Sequence, residues 1–64
     1  MPGIEQTELE RYRDRILADA RALVERYRAI FDWDVPDIDQ READRLILRE
    51  IRTALDRIEA ALLP

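Results

Sequence analysis

Two rows of leucine and isoleucine at seven-residue spacing, one on each side of Pro36, restrict this chain to helices. Leu9, Ile16, Leu23 and Ile30 form the first row, and Leu48, Leu55 and Leu62 the second. A seven-residue step returns to nearly the same face of an α-helix. The wider apolar pattern agrees. Leu9, Tyr12, Ile16, Leu17, Ala20, Leu23, Val24, Tyr27, Ile30 and Phe31 follow one another in helical steps, with no Gly or Pro among them. Ile47, Leu48, Ile51, Ala54, Leu55, Ile58, Ala61 and Leu62 do the same further on. The spacing predicts two helices, over about 8–31 and 39–62.

Local signals set the expected ends. Thr7 followed by Glu10 fits a capping box, which makes residues 1–6 a leader expected to fray. Residues 32–38 carry Asp32, Asp34, Asp37 and Pro36 and read as an acidic turn. Val35 precedes the proline and is pushed away from the helical region. Asp39 with Glu42 makes a second capping box, with Ile38 placed to staple onto Ala43, and Asp37 with Gln40 is the competing cap. Helices of about 24 residues joined by about seven favour an antiparallel hairpin. The expected fold is all-α, a single helical-hairpin domain spanning 1–64.

One hairpin does not satisfy this pattern. A chain of 64 residues has a marginal core of its own, and small scaffolds generally need disulfides, a metal or oligomerisation. There is no Cys and no His, so disulfides and the usual transition-metal ligands are excluded together. The apolar face of the first helix spans about 140°, wider than a two-stranded seam requires. Dimerisation into a four-helix bundle, or docking on a helical segment of another protein, is therefore expected. In the simplest register facing residue numbers sum to about 71. That register pairs Leu9 with Leu62, Ile16 with Leu55, Leu23 with Leu48 and Ala20 with Ile51. Two charged residues interrupt the apolar rows: Arg13, whose expected partner is Glu59, and Asp44, which falls opposite Tyr27. Both are read as bundle-end residues that reach solvent, with a register-fixing role as the alternative.

The residue inventory argues against catalysis. Without Cys, Ser or His, the usual nucleophile–base pairs cannot be assembled from this chain. No cofactor or metal is expected. The four aspartates around Pro36 do not fit an EF-hand, because Asp37 stands where Gly is required and Ala43 where Glu is required. Arg15/Asp19, Arg21/Glu25, Arg28/Asp32 and Arg52/Asp56 read as i,i+4 surface pairs. The net charge of −4, from 15 acidic and 11 basic residues, makes nucleic acid an unlikely partner. No apolar run approaches a membrane span and no signal peptide is visible, so a cytoplasmic location is expected.

Two features stand outside the helical seam. Trp33, the only Trp, lies among aspartates. It is expected to fold back against Phe31, Val35 and Ile38, and its alternative role is an exposed partner anchor. Arg41, Arg45, Arg49 and Arg52 fall along one side of the second helix and form a possible phosphate-contacting ridge, with a solvated, ion-paired face as the simpler reading.

The helix–acidic turn–helix layout, the Ala-containing heptads and the stretch Asp39-Gln40-Arg41-Glu42-Ala43-Asp44 resemble Rop-type plasmid proteins. These are RNA-binding helical hairpins that dimerise into four-helix bundles. The resemblance implies the dimeric architecture. RNA binding is not carried over, because function resides in sites rather than folds. The functional expectation is a non-enzymatic interaction module: a small adaptor, assembly factor or regulatory subunit. The alternatives are a nucleic-acid-associated regulator of Rop-like architecture, an antitoxin- or inhibitor-like subunit, and a designed bundle.

Overall fold

The computed structural model of the chain describes residues 3–34 and 37–64. Val35 and Pro36, on which the expected proline break rests, lie outside the described residues, as do Met1 and Pro2. The described residues form two α-helices packed against each other, α1 (Ile4–Asp34) and α2 (Gln40–Leu62), and no strand.

Helix α1 is longer than expected at both ends. Thr7 is not its N-cap. The Thr7 backbone N–H donates to the Gly3 carbonyl at 3.1 Å, and its hydroxyl donates to the same oxygen at 3.2 Å. The hydroxyl thus bonds back along the helix instead of capping it, and Ile4, Glu5 and Gln6 are helical rather than part of a frayed leader. At the other end Asp32 does not stop the helix. Asp is only a weak helix former, and α1 persists to Asp34, the residue before the Val35-Pro36 pair. The helices are therefore unequal, with 31 and 23 residues. The excess on α1 is about 12 Å at 1.5 Å per residue.

Helix α2 begins where the sequence places it. Asp39 has extended backbone dihedrals, and its Oδ1 accepts from the Glu42 N–H at 3.1 Å. Only half of the capping box forms, because the Glu42 carboxylate turns to Arg45. Asp37 is not the cap. It holds a positive φ of 59°, a left-handed conformation that Asp tolerates better than most residues. Ile38 is half-buried and Ala43 buried, as a staple between them requires. Leu63 closes α2, its N–H donating to the Glu59 carbonyl at 2.8 Å.

The helices enclose very little. Only Ala43 and Ile47, at 4% and 5% exposure, are buried among the described residues. The half-buried side chains Val24, Arg28 and Phe31 on α1 and Asp44 and Ile51 on α2 lie at the same turn-proximal end. Further out the helices part. Leu9 and Leu62, expected to face each other, are 46% and 72% exposed. Ile16, Leu55, Leu23 and Leu48 are exposed as well, so those predicted layers are not closed. The seam is also rotated. Ile47, expected in the stripe, is buried, while Leu48, expected opposite Leu23, is 37% exposed, so the contact centres on the Ile47 side.

The outcome is an open hairpin measuring 52 × 27 × 15 Å. Its radius of gyration is 15.6 Å, against about 11 Å for a compact domain of this length. Its accessible surface is 6179 Å², where a compact monomer of 7.6 kDa would show roughly 4,300 Å².

The caps supply a direct check. Asp39→Ala should destabilise the fold by about 1 kcal/mol. Thr7→Ala, which removes no cap, should stay within about 0.5 kcal/mol of the parent. Urea unfolding followed by circular dichroism distinguishes the two. An equal loss from both variants would restore Thr7 as a cap.

Candidate functional site: an apolar cleft between the helices

Because the helices part beyond Ile47, an open cleft of about 580 Å³ lies between them. Leu23, Tyr27 and Phe31 of α1 form one wall. Ile47, Ile51, Leu55 and Ile58 of α2 form the other, with Leu46, Ala54 and Glu50 at the edge of the helical stripe. At roughly 30 Å³ per water the cleft has room for about twenty water molecules. Nearly all of them would lie against hydrocarbon, which drives the walls to find cover.

Eight of the eighteen expected interface residues line this cleft. Leu17, Ala20 and Val24 line a shallower depression on the flank of α1, with Arg21 and Glu25. Leu9, Tyr12, Ile16 and Ile30 form an exposed apolar stripe on α1, and Leu48, Ala61 and Leu62 are exposed on α2. Two lining residues were not anticipated. Leu46 lies on the opposite side of α2 from Leu48 and so falls outside the heptad rows. It joins the cleft because α2 is rotated toward Ile47. Glu50 is the single charged residue of the lining, and it forms no ion pair among the described residues.

A polar cluster closes the turn end of the cleft. Arg28 Nε donates to Asp44 Oδ1 at 2.9 Å across the helices, and Gln40 Nε2 donates to the same oxygen at 2.7 Å. The remaining Arg28 fork grips Glu25 at 3.0 and 3.1 Å. Asp44 thus meets Arg28, one residue from the expected Tyr27, and Arg28 pairs with Glu25 and Asp44 rather than with Asp32. The hydrogen bond from Gln40, helped by the bond and the charge of Arg28, holds the Asp44 carboxyl below its ordinary value. Asp44 and then Glu25 hold the Arg28 guanidinium above its own.

The other ion pairs are local. Glu8–Arg11 at 3.5 Å and Glu42–Arg45 at 2.6 Å are, like Glu25–Arg28, i,i+3 pairs with the acid on the N-terminal side. The expected i,i+4 pairs do not form among the described residues, and Arg13 does not pair with Glu59. The Arg45 fork is taken up by Glu42, which lowers the Glu42 pKa. Arg41, Arg49 and Arg52 are exposed and make no ion pair among the described residues. The ridge is thus interrupted at its second position.

Trp33 does not fold back. It lies in the last turn of α1 and is 89% exposed. Among the described residues no three acidic side chains are placed to hold a metal ion, and no helix is long and apolar enough to cross a membrane. The sequence matches no protein-family model, and no curated protein or solved structure is similar to it.

The polar cluster predicts a pH dependence. The folded pKa of Asp44 is lowered, so its contribution to folding is complete above the ordinary value of 3.8 and is lost as pH falls through the folded value. A carbon-detected NMR titration should find the Asp44 midpoint below 3.8, and Gln40→Ala should move it upward. An Asp44 midpoint at or above 3.8 in the parent chain would dissolve the cluster.

Proposed function

We propose that this chain is a non-enzymatic protein–protein interaction module, and that a second copy covers its apolar faces to complete a four-helix assembly. The observation that carries this reading is the imbalance of burial. Two apolar side chains are buried among the described residues, while fifteen large ones are exposed. Scattered exposed leucines are ordinary on a soluble surface. Here they form continuous stripes along both helices and line a cleft, and a contiguous apolar patch of that kind marks a contact surface.

The areas support association. The accessible surface exceeds that of a compact monomer of the same mass by roughly 1,900 Å². A standard interface removes about 800 Å² from each partner. The excess is of the size that such an interface removes. Helices in proteins take most of their stability from packing of the apolar face, so a partner that covers these faces stabilises the helices themselves.

Light scattering after size exclusion, with circular dichroism on the same fractions, tests the reading. The expected mass is twice the 7.6 kDa of the chain, with helicity falling on dilution as the dimer dissociates. A fully helical species of 7.6 kDa at millimolar concentration would overturn self-association.

A further inference from the structure

We propose that the cleft of each copy receives the N-terminal half of α1 from the other, and that Arg13 of the entering helix pairs with Glu50 of the receiving cleft. This rests on the dimer reading above and specifies its contact. Three observations converge on it. The first is charge complementarity. Glu50 is the one charged residue in an otherwise hydrocarbon-and-tyrosine lining. Arg13 is the one charged residue within the stripe Leu9, Tyr12, Ile16 and Ala20 of α1. Both are exposed, and neither has an ion-pair partner among the described residues.

The second observation is the unequal length of the helices. By the Arg28–Asp44 register α1 outruns α2 over residues 4–9, and on the arm that this overhang extends Leu9, Tyr12 and Ile16 are exposed. That arm is one exposed apolar element of the chain and the cleft is another, and each can cover the other. In a two-fold dimer one contact implies its mate, so two arms fill two clefts at once.

The third is register. The Arg28–Asp44 contact sets α2 level with α1, and by that measure Glu50 lies level with position 22 of α1. A second α1 laid antiparallel to the first and centred near Leu17 brings its Arg13 to this level. The same placement sets its Tyr12 beside Leu23 and its Leu9 near Tyr27, both cleft-lining residues. One alignment therefore satisfies the charge pair and the apolar contacts together.

Charge reversal with mixing tests this. Arg13→Glu and Glu50→Arg should each weaken the homodimer by about a hundredfold or more, tenfold for each of two symmetric like-charge contacts. An equimolar mixture of the two variants should restore dimerisation, because the heterodimer regains two opposite-charge pairs. Native mass spectrometry would identify that heterodimer by its mass, and sedimentation would give its affinity. Failure of the mixture to recover, or dimerisation of both single variants at the parent affinity, overturns the pairing while leaving the dimer in place. A parent chain that is monomeric throughout overturns the pairing and the dimer reading together.

Discussion

Ala43 and Ile47 are where the two helices hold each other, and the confinement of contact to that end shapes the rest of the molecule. The small Ala43 side chain lets α2 approach α1 closely next to the turn, since helix separation follows the side chains at the crossing. Further along, larger residues on both helices are exposed instead of interlocked. A pair of helices joined at one end and parted at the other has an apolar interior that is also its surface. The cleft, the large accessible area and the exposed arm of α1 are three consequences of that one geometry.

Hydrophobic contact holds the turn end together but has little directionality. The Arg28–Asp44–Gln40 cluster supplies the direction. Its two hydrogen bonds converge on one carboxylate oxygen, and the one from Arg28 ties position 28 of α1 to position 44 of α2. Such a partly exposed ion pair adds little net stability. Its effect is on alignment, because sliding either helix by a turn would part Asp44 from Arg28 and leave it only the donor on its own helix, Gln40. The intrahelical Glu–Arg pairs have a different role. Each places the acid toward the helix N-terminus, the orientation favoured by the helix dipole.

Much of the fold was legible in the sequence, and the places where it was not have identifiable causes. Helical spacing and the Asp39 cap located both helices, because period and capping are local properties. The start of α1 was misplaced because a threonine followed by glutamate has two uses. Thr7 can cap a helix or bond back to the carbonyl four residues earlier, and Gly3 offers that carbonyl. Leu48 was placed in the facing row for a different reason. Ile47 and Leu48 are adjacent and equally apolar, so the pattern cannot choose between their faces. The choice fell to Ala43, which shares a face with Ile47 and is small enough to admit α1. Leu46 and Glu50 escaped notice with it, since both join the cleft only after α2 has turned. Trp33 was expected to pack because a lone Trp usually finds cover. Helix α1 instead continues past Asp32 and carries it outward.

A charged residue within an apolar stripe weakens association in general but discriminates among its geometries. Consider two copies of α1 approaching in parallel and in register. Arg13 would then meet Arg13 beside an apolar surface, and the repulsion would act against that dimer. An antiparallel approach separates the two arginines and sends each toward a different receiving cleft. A uniformly apolar stripe would accept both arrangements and several slipped registers between them. In such a dimer the choice of geometry would fall to the few charged interruptions, and their placement would matter more than the number of leucines around them.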